Sequence, residues 1–144
     1  MDYRGEGLKG HEIKRDYAAR RAAALVELRE RAARGEVDCV ARLVERCANE
    51  PPLLGLHVWQ VERAAFDHSR AACLRHVEQA AAWCGATHVG QPGRVSMAWL
   101  LHGGTGGARL AAWLLAVCLD LDGFALSGPD PFHAHTHAAT SDPR

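Results

Sequence analysis

Net charge is the first thing this sequence lacks, because its 17 lysines and arginines are balanced by 17 acids. A neutral chain cannot hold nucleic acid by being basic all over, although a local basic face is compatible with that total. Long apolar runs are missing too. None approaches the roughly 18 residues of a membrane helix, and the opening MDYRGEGLKGHEIKR lacks a signal peptide's apolar stretch. No membrane partner is therefore expected. An even set of cysteines is also missing. Five cysteines without an export signal predict free thiols and a cytoplasmic location rather than a disulfide frame. Lysine is scarce, two against 15 arginines, which fits either phosphate recognition by guanidinium forks or a GC-rich coding bias. No segment alternates long enough to argue for a sheet. No nucleophile elbow, Walker loop or HExxH is present, so neither an enzyme nor a cofactor is expected.

What is abundant is alanine, the best helix former, at 26 of 144 residues. The expected fold is all-α: a long N-terminal helix, then a compact bundle of about five short helices containing a helix-turn-helix hairpin. One domain spans 9–120, between a flexible segment 1–8 and an extended or mobile tail 121–144. Residues 9–34 read as the long helix, with Ile13, Tyr17, Leu25, Leu28 and Ala32 on its apolar side and Gly35 as its stop. Glu27–Arg31 and Glu30–Arg34 are its expected i, i+4 pairs. Asp38 is placed to cap a second helix carrying Val40, Leu43, Val44 and Cys47 at amphipathic spacing, ended by Pro51 and Pro52. A third helix is predicted over 56–66. Asp67 or Ser69 would cap a fourth over 70–84, with Cys73, Val77, Ala80, Ala81 and Cys84 on one face. A short helix over 95–101 precedes HGGTGG (102–107). The last helix, 108–120, has Leu110, Trp113, Leu114, Val117 and Cys118 as its stripe.

Four features bear on chemistry. The glycine turn, with Gly104, Gly106 and Gly107 ahead of Arg109, is expected either to present backbone N–H groups to a phosphate or to serve as a plain helix corner. Cys73, His76, Cys84 and His88 have zinc-like side chains. On one continuous helix, however, Cys73 and Cys84 stand about 16 Å apart, so they read as small core residues and no metal is expected. His133, His135 and His137 in the tail are read as an incidental chelate at most. The basic first helix carries +4 over 9–34 and fits either a phosphate backbone or a solvated face.

The segments AARRAAALVELRERAARGEVDCVARLVER (18–46), LLGLHVWQVERA (53–64) and HVGQPGRVSMAWL (88–100) together resemble the actinobacterial type of integration host factor. In a second register, GRVSMAWLLHGGTGGARLAAWLL (93–115) resembles that family's DNA-binding hairpin, with Val95, Ser96, Gly104, Gly106 and Arg109 on its pattern. Gly107 stands where the family's turn has a lysine. The resemblance implies a small nucleoid-associated protein with a helix-two-turns-helix domain, holding double-stranded DNA by its phosphates with little sequence preference. Gly104, Gly106, Gly107, Arg109 and Arg94 would make one contact, and Lys14, Arg15, Arg20 and Arg21 a second. The alternative is a helical protein-interaction or regulatory module that has lost DNA binding, with Trp59, Trp83, Trp99 and Trp113 as core or interface anchors.

Overall fold

The alanine-rich sequence forms six α-helices and no strand among the residues that the computed structural model describes, 3–86 and 90–121. They are α1 (Tyr3–Ala33), α2 (Cys39–Cys47), α3 (Val58–Phe66), α4 (Arg70–Trp83), α5 (Met97–Leu100) and α6 (Ala108–Leu121). Short 3-10 turns at Pro51–Gly55, Pro92–Arg94 and Gly103–Thr105 link them. The fold class is as expected, and the first helix begins at Tyr3 rather than at residue 9. His88 and the tail histidines lie outside the described residues, as does the tail beyond Leu121. No helix is long and apolar enough to cross a membrane. Among the described residues no disulfide forms; Cys39, Cys47 and Cys73 are buried thiols and Cys118 is exposed.

Helix ends follow local chemistry. Gly35, at φ +79°, closes α1 with paired bonds from Gly35 N to the Ala32 carbonyl (3.0 Å) and from Glu36 N to the Arg31 carbonyl (3.1 Å). Gly85 repeats the motif after α4. Ser69 caps α4 by accepting from Ala72 N at 3.2 Å, while Asp67 instead ends α3 in the left-handed region. Asp38 does not cap α2. Its carboxylate accepts from Arg42 Nε at 2.7 Å, because a charge-assisted bond one turn along outcompetes the backbone amide. Likewise Arg34 reaches Glu36 rather than Glu30, whereas Arg31 does pair with Glu27 at 2.9 Å.

The core gathers around the Pro51–Gly55 turn. Leu53 and Leu56 are fully buried with Val58 and Val61 of α3, Val77 of α4, Met97 and Leu100 of α5, and Trp113 and Val117 of α6. Each such side chain contributes about 1.5–3 kcal/mol by leaving water, whereas an exposed ion pair contributes about 0.2–1 kcal/mol. The core therefore outweighs the surface arginine pairs. α3 and α5 start side by side: His57 and Ser96 form a lone antiparallel bridge, with Val58 N on the Val95 carbonyl (2.9 Å) and Met97 N on the Leu56 carbonyl (2.8 Å). α4 packs on both α3 and α6.

Two expected apolar faces are corrected. Ala24 and Leu28 of α1 are buried, but Ile13 and Tyr17, further along the same stripe, are 55% and 39% exposed. Every residue from 9 to 20 is exposed, so the first half of α1 projects beyond the bundle. In α6 the buried positions are Ala112, Trp113, Ala116 and Val117, and Cys118 faces solvent. The stripe follows the narrower contact with α4 rather than the full run of apolar residues.

Candidate functional site

Three polar residues occupy core positions of their helices. Glu62 follows Val58 and Val61 at i+4 and i+1, His76 follows Cys73 at i+3, and Asp120 follows Trp113 and Val117 at i+7 and i+3. Helical periodicity therefore turns all three inward. Glu62 and His76 are completely buried, the only two polar side chains so enclosed among the described residues. Such burial costs several kcal/mol unless every polar atom finds a partner.

The partners are present. Glu62 Oε1 accepts from Trp113 Nε1 at 3.1 Å. Glu62 Oε2 lies 2.6 Å from His76 Nδ1 and 2.9 Å from His68 Nδ1. On its far side, His76 Nε2 lies 2.7 Å from Asp120 Oδ2, which also accepts from Arg75 Nη2 at 3.1 Å. His68 stacks on Phe66 at 5.6 Å and meets the His76 ring edge-on at 5.9 Å. The fully buried Cys73 directs its Sγ at the His68 carbonyl, 3.8 Å away. Thus α3, α4 and α6 meet through one chain of hydrogen bonds.

Electrostatics follow from this arrangement. Burial pushes Glu62 upward, but the hydrogen bonds from His76 and His68 outweigh it and hold the carboxyl below its ordinary range. The hydrogen bond from His76 likewise holds the Asp120 carboxyl below its ordinary value. Burial pulls His76 down, yet bonds to both carboxylates raise it above an ordinary histidine. Two ionised acceptors require a donor at each ring nitrogen, so His76 is an imidazolium clamped between carboxylates. Burial first, then the Glu62 charge, pushes the Cys73 thiol up to about 12. Cys73 is a neutral thiol rather than a nucleophile.

The expected phosphate-binding residues are placed differently. Gly104 N–H, read as an uncovered donor, bonds to His102 Nδ1 at 3.1 Å. Arg109 stacks over Trp99, 4.5 Å from the ring centre, and donates to the Trp99 carbonyl at 3.1 Å. Gly106 and Gly107 hold positive φ at the corner, and Arg94 is exposed. In α1, Arg21 is half-buried against Gly55, and Arg20 pairs with Asp16 at 3.0 Å. Among the described residues, Lys9, Lys14 and Arg15 have no ion-pair partner. The helical turn spreads the cations around α1: Lys14 and Arg21 share a side, while Arg15 and Arg20 diverge from it in opposite directions.

Of the four zinc-like residues, Cys73 and His76 come together, but their neighbours are Glu62 and His68 rather than Cys84. Sequence reasoning missed Glu62, His68 and Asp120, because spacing between separate helices carries no signature. The available signal was a charged residue on each apolar stripe: Glu62 beside Val58, Val61 and Ala65, and Asp120 beside Trp113, Ala116 and Val117. No family model, curated protein or solved structure matches the chain.

Proposed function

We propose that this protein is a non-enzymatic, all-α DNA-binding protein that grips the phosphate backbone of duplex DNA with little sequence preference. The observation that carries this reading is the projecting half of α1, in which residues 9–20 are all exposed. Lys9, Lys14, Arg15 and Arg20 there outnumber Glu12 and Asp16. A lone helix in water is marginal, and one held rigidly off a bundle can follow a groove edge that a compact neutral body cannot approach. Arg94 and the exposed backbone at Gly107 supply a second contact from the bundle. Gly104 contributes little, since its N–H is held within the chain, and Arg109 is drawn toward Trp99 by its stack and by one Nη1 bond. The test is fluorescence anisotropy on random duplex at about 50 mM salt, repeated as salt rises. Binding at low micromolar protein, with a log–log salt slope of about −3, is expected. Lys9→Glu/Lys14→Glu/Arg15→Glu together should abolish it. No binding by the wild type at low salt ends this reading.

A second reading is favoured by a separate observation. A groove of about 630 Å³ between α2, α3 and α6 is lined by Val37, Val40, Val44, Phe66, Leu110 and Leu114. Apolar lining of this kind suits a protein partner rather than a phosphate chain. Under that reading Leu114→Asp abolishes partner capture while the DNA titration stays flat for every variant.

A further inference from the structure

Glu62, His68 and His76 form a ligand set whose donor atoms converge from two helices and the turn between them. Glu62 Oε2 and the two Nδ1 atoms all lie within 4.8 Å of one another. From this juxtaposition we propose that these three residues bind a divalent transition-metal ion, zinc by the nature of the donors, that ties α3 to α4. The proposal stands independently of any DNA contact.

Two imidazoles and one carboxylate suit zinc, with bonds of about 2.0–2.2 Å. A tetrahedral ion with such bonds separates its ligand atoms by about 3.3 Å. The present O···N separations of 2.6 and 2.9 Å need to open by about 0.7 and 0.4 Å. Both rings already aim Nδ1 at the same oxygen, so the ion takes the place of two protons. The outer groups are arranged as a metal site requires. Asp120 accepts from His76 Nε2 and fixes that ring, with Arg75 bracing Asp120 in turn. Trp113 Nε1 holds the second oxygen of Glu62. Such outer hydrogen bonds fix the orientation and raise the basicity of the ligands. The His68 side chain is 18% exposed, whereas Glu62 and His76 are sealed, so the ion enters past His68. A hard cation is disfavoured, because magnesium and calcium prefer sets made mostly of oxygen. Held there, the ion closes the α3–α4 turn, and through Asp120 and Trp113 it also steadies α6.

The experiment uses the full chain after dialysis against a chelator. Zinc titration, followed by calorimetry and by thermal unfolding, is expected to give one ion per chain and a Tm higher by about 10 °C at saturation. Cobalt in its place should develop visible absorption bands of low-symmetry coordination. Magnesium should do neither. Since Glu62 and His76 variants disturb the core, the ligand variant of choice is His68→Gln, in the turn and partly exposed. It is expected to keep the circular dichroism of the wild type and a chelator-state Tm within about 5 °C of it, while losing the cobalt bands and the zinc-dependent rise. Absence of both effects in the wild type overturns the proposal, as does their undiminished survival in His68→Gln.

Discussion

The molecule contains two successive helix hairpins, and they solve the same problem with different chemistry. In the first, α3 turns into α4 through Asp67, His68 and Ser69, without a glycine. In the second, α5 turns into α6 through HGGTGG. Their helices begin side by side at His57 and Ser96. Each has a tryptophan in its first helix covered by an arginine from the first turn of its second: Arg70 over Trp59 at 5.1 Å, and Arg109 over Trp99 at 4.5 Å. Each corner has a left-handed residue of nearly equal geometry, Asp67 at φ 56° and ψ 32°, and Gly106 at φ 59° and ψ 27°, and the glycine corner adds Gly107 at φ 84°. The inside differs. Beneath the glycine-free corner lies the Glu62–His76–Asp120 cluster, whereas the glycine corner is exposed and closed by His102 and Arg109. Glycine richness thus marks an easy turn here, and the more demanding chemistry sits under the turn with no glycine.

Breaking the buried cluster should give the largest effect. Glu62→Leu leaves the Nδ1 donor of His76 and the Trp113 N–H without an acceptor in an apolar core, and should cost about 3–5 kcal/mol in urea unfolding of the metal-free protein. A loss below about 1 kcal/mol would mean that the cluster does not hold the first hairpin together. Exchanging the corner residues compares the turns directly. Gly106→Ala meets no neighbouring atom, so its cost is the positive φ alone, about 1–2 kcal/mol. Asp67→Gly relieves that same strain but adds freedom to the unfolded chain, and should change stability by less than about 0.5 kcal/mol. Equal losses from both would show that the corners are not equivalent.

The arginine latches come next. Arg109→Ala removes both a stack and a hydrogen bond, for about 1 kcal/mol, while Arg70→Ala removes the stack, for about 0.5 kcal/mol. Tryptophan emission should shift to the red in each, more in the first. The smallest effect lies outside both hairpins. The Arg46 guanidinium, 2.7 Å from Glu50, holds that carboxyl below its ordinary value of 4.5. A depressed folded value contributes stability above pH 4.5 and loses it as pH falls through the folded value. Glu50→Gln should therefore flatten the acid limb of the melting curve slightly and leave neutral pH nearly unchanged.

Much of the fold was legible because its causes are local. The starts of α4 and α6, the Ser69 cap and the Gly35 and Gly85 stops each depend on residues within one or two turns. The Cys73, Val77, Ala80 and Ala81 face was legible for the same reason. Asp38 misled because an arginine four residues on competes for its carboxylate. Ile13 and Tyr17 misled because periodicity shows that a helix has an apolar side, but not whether anything lies against it. The candidate site was legible only in part. Cys73 and His76 stood out as ligand types, while Glu62 and Asp120 resembled surface carboxylates of amphipathic helices.

Neighbouring residues alone dictate that this chain is helical, where most of its helices begin and end, and that its charges cancel overall while gathering at the first helix. Hydrogen bonding along a helix, capping and periodicity act over a few residues, so those properties can be read from neighbours. Long-range packing set the rest: α1 projects half its length, and Gly104 and Arg109 bond within the chain. Packing also makes Glu62, 14 positions before His76 and 58 before Asp120, complete a cluster with them. Packing sets those outcomes, because a charged side chain becomes a site only when three helices remove it from water together.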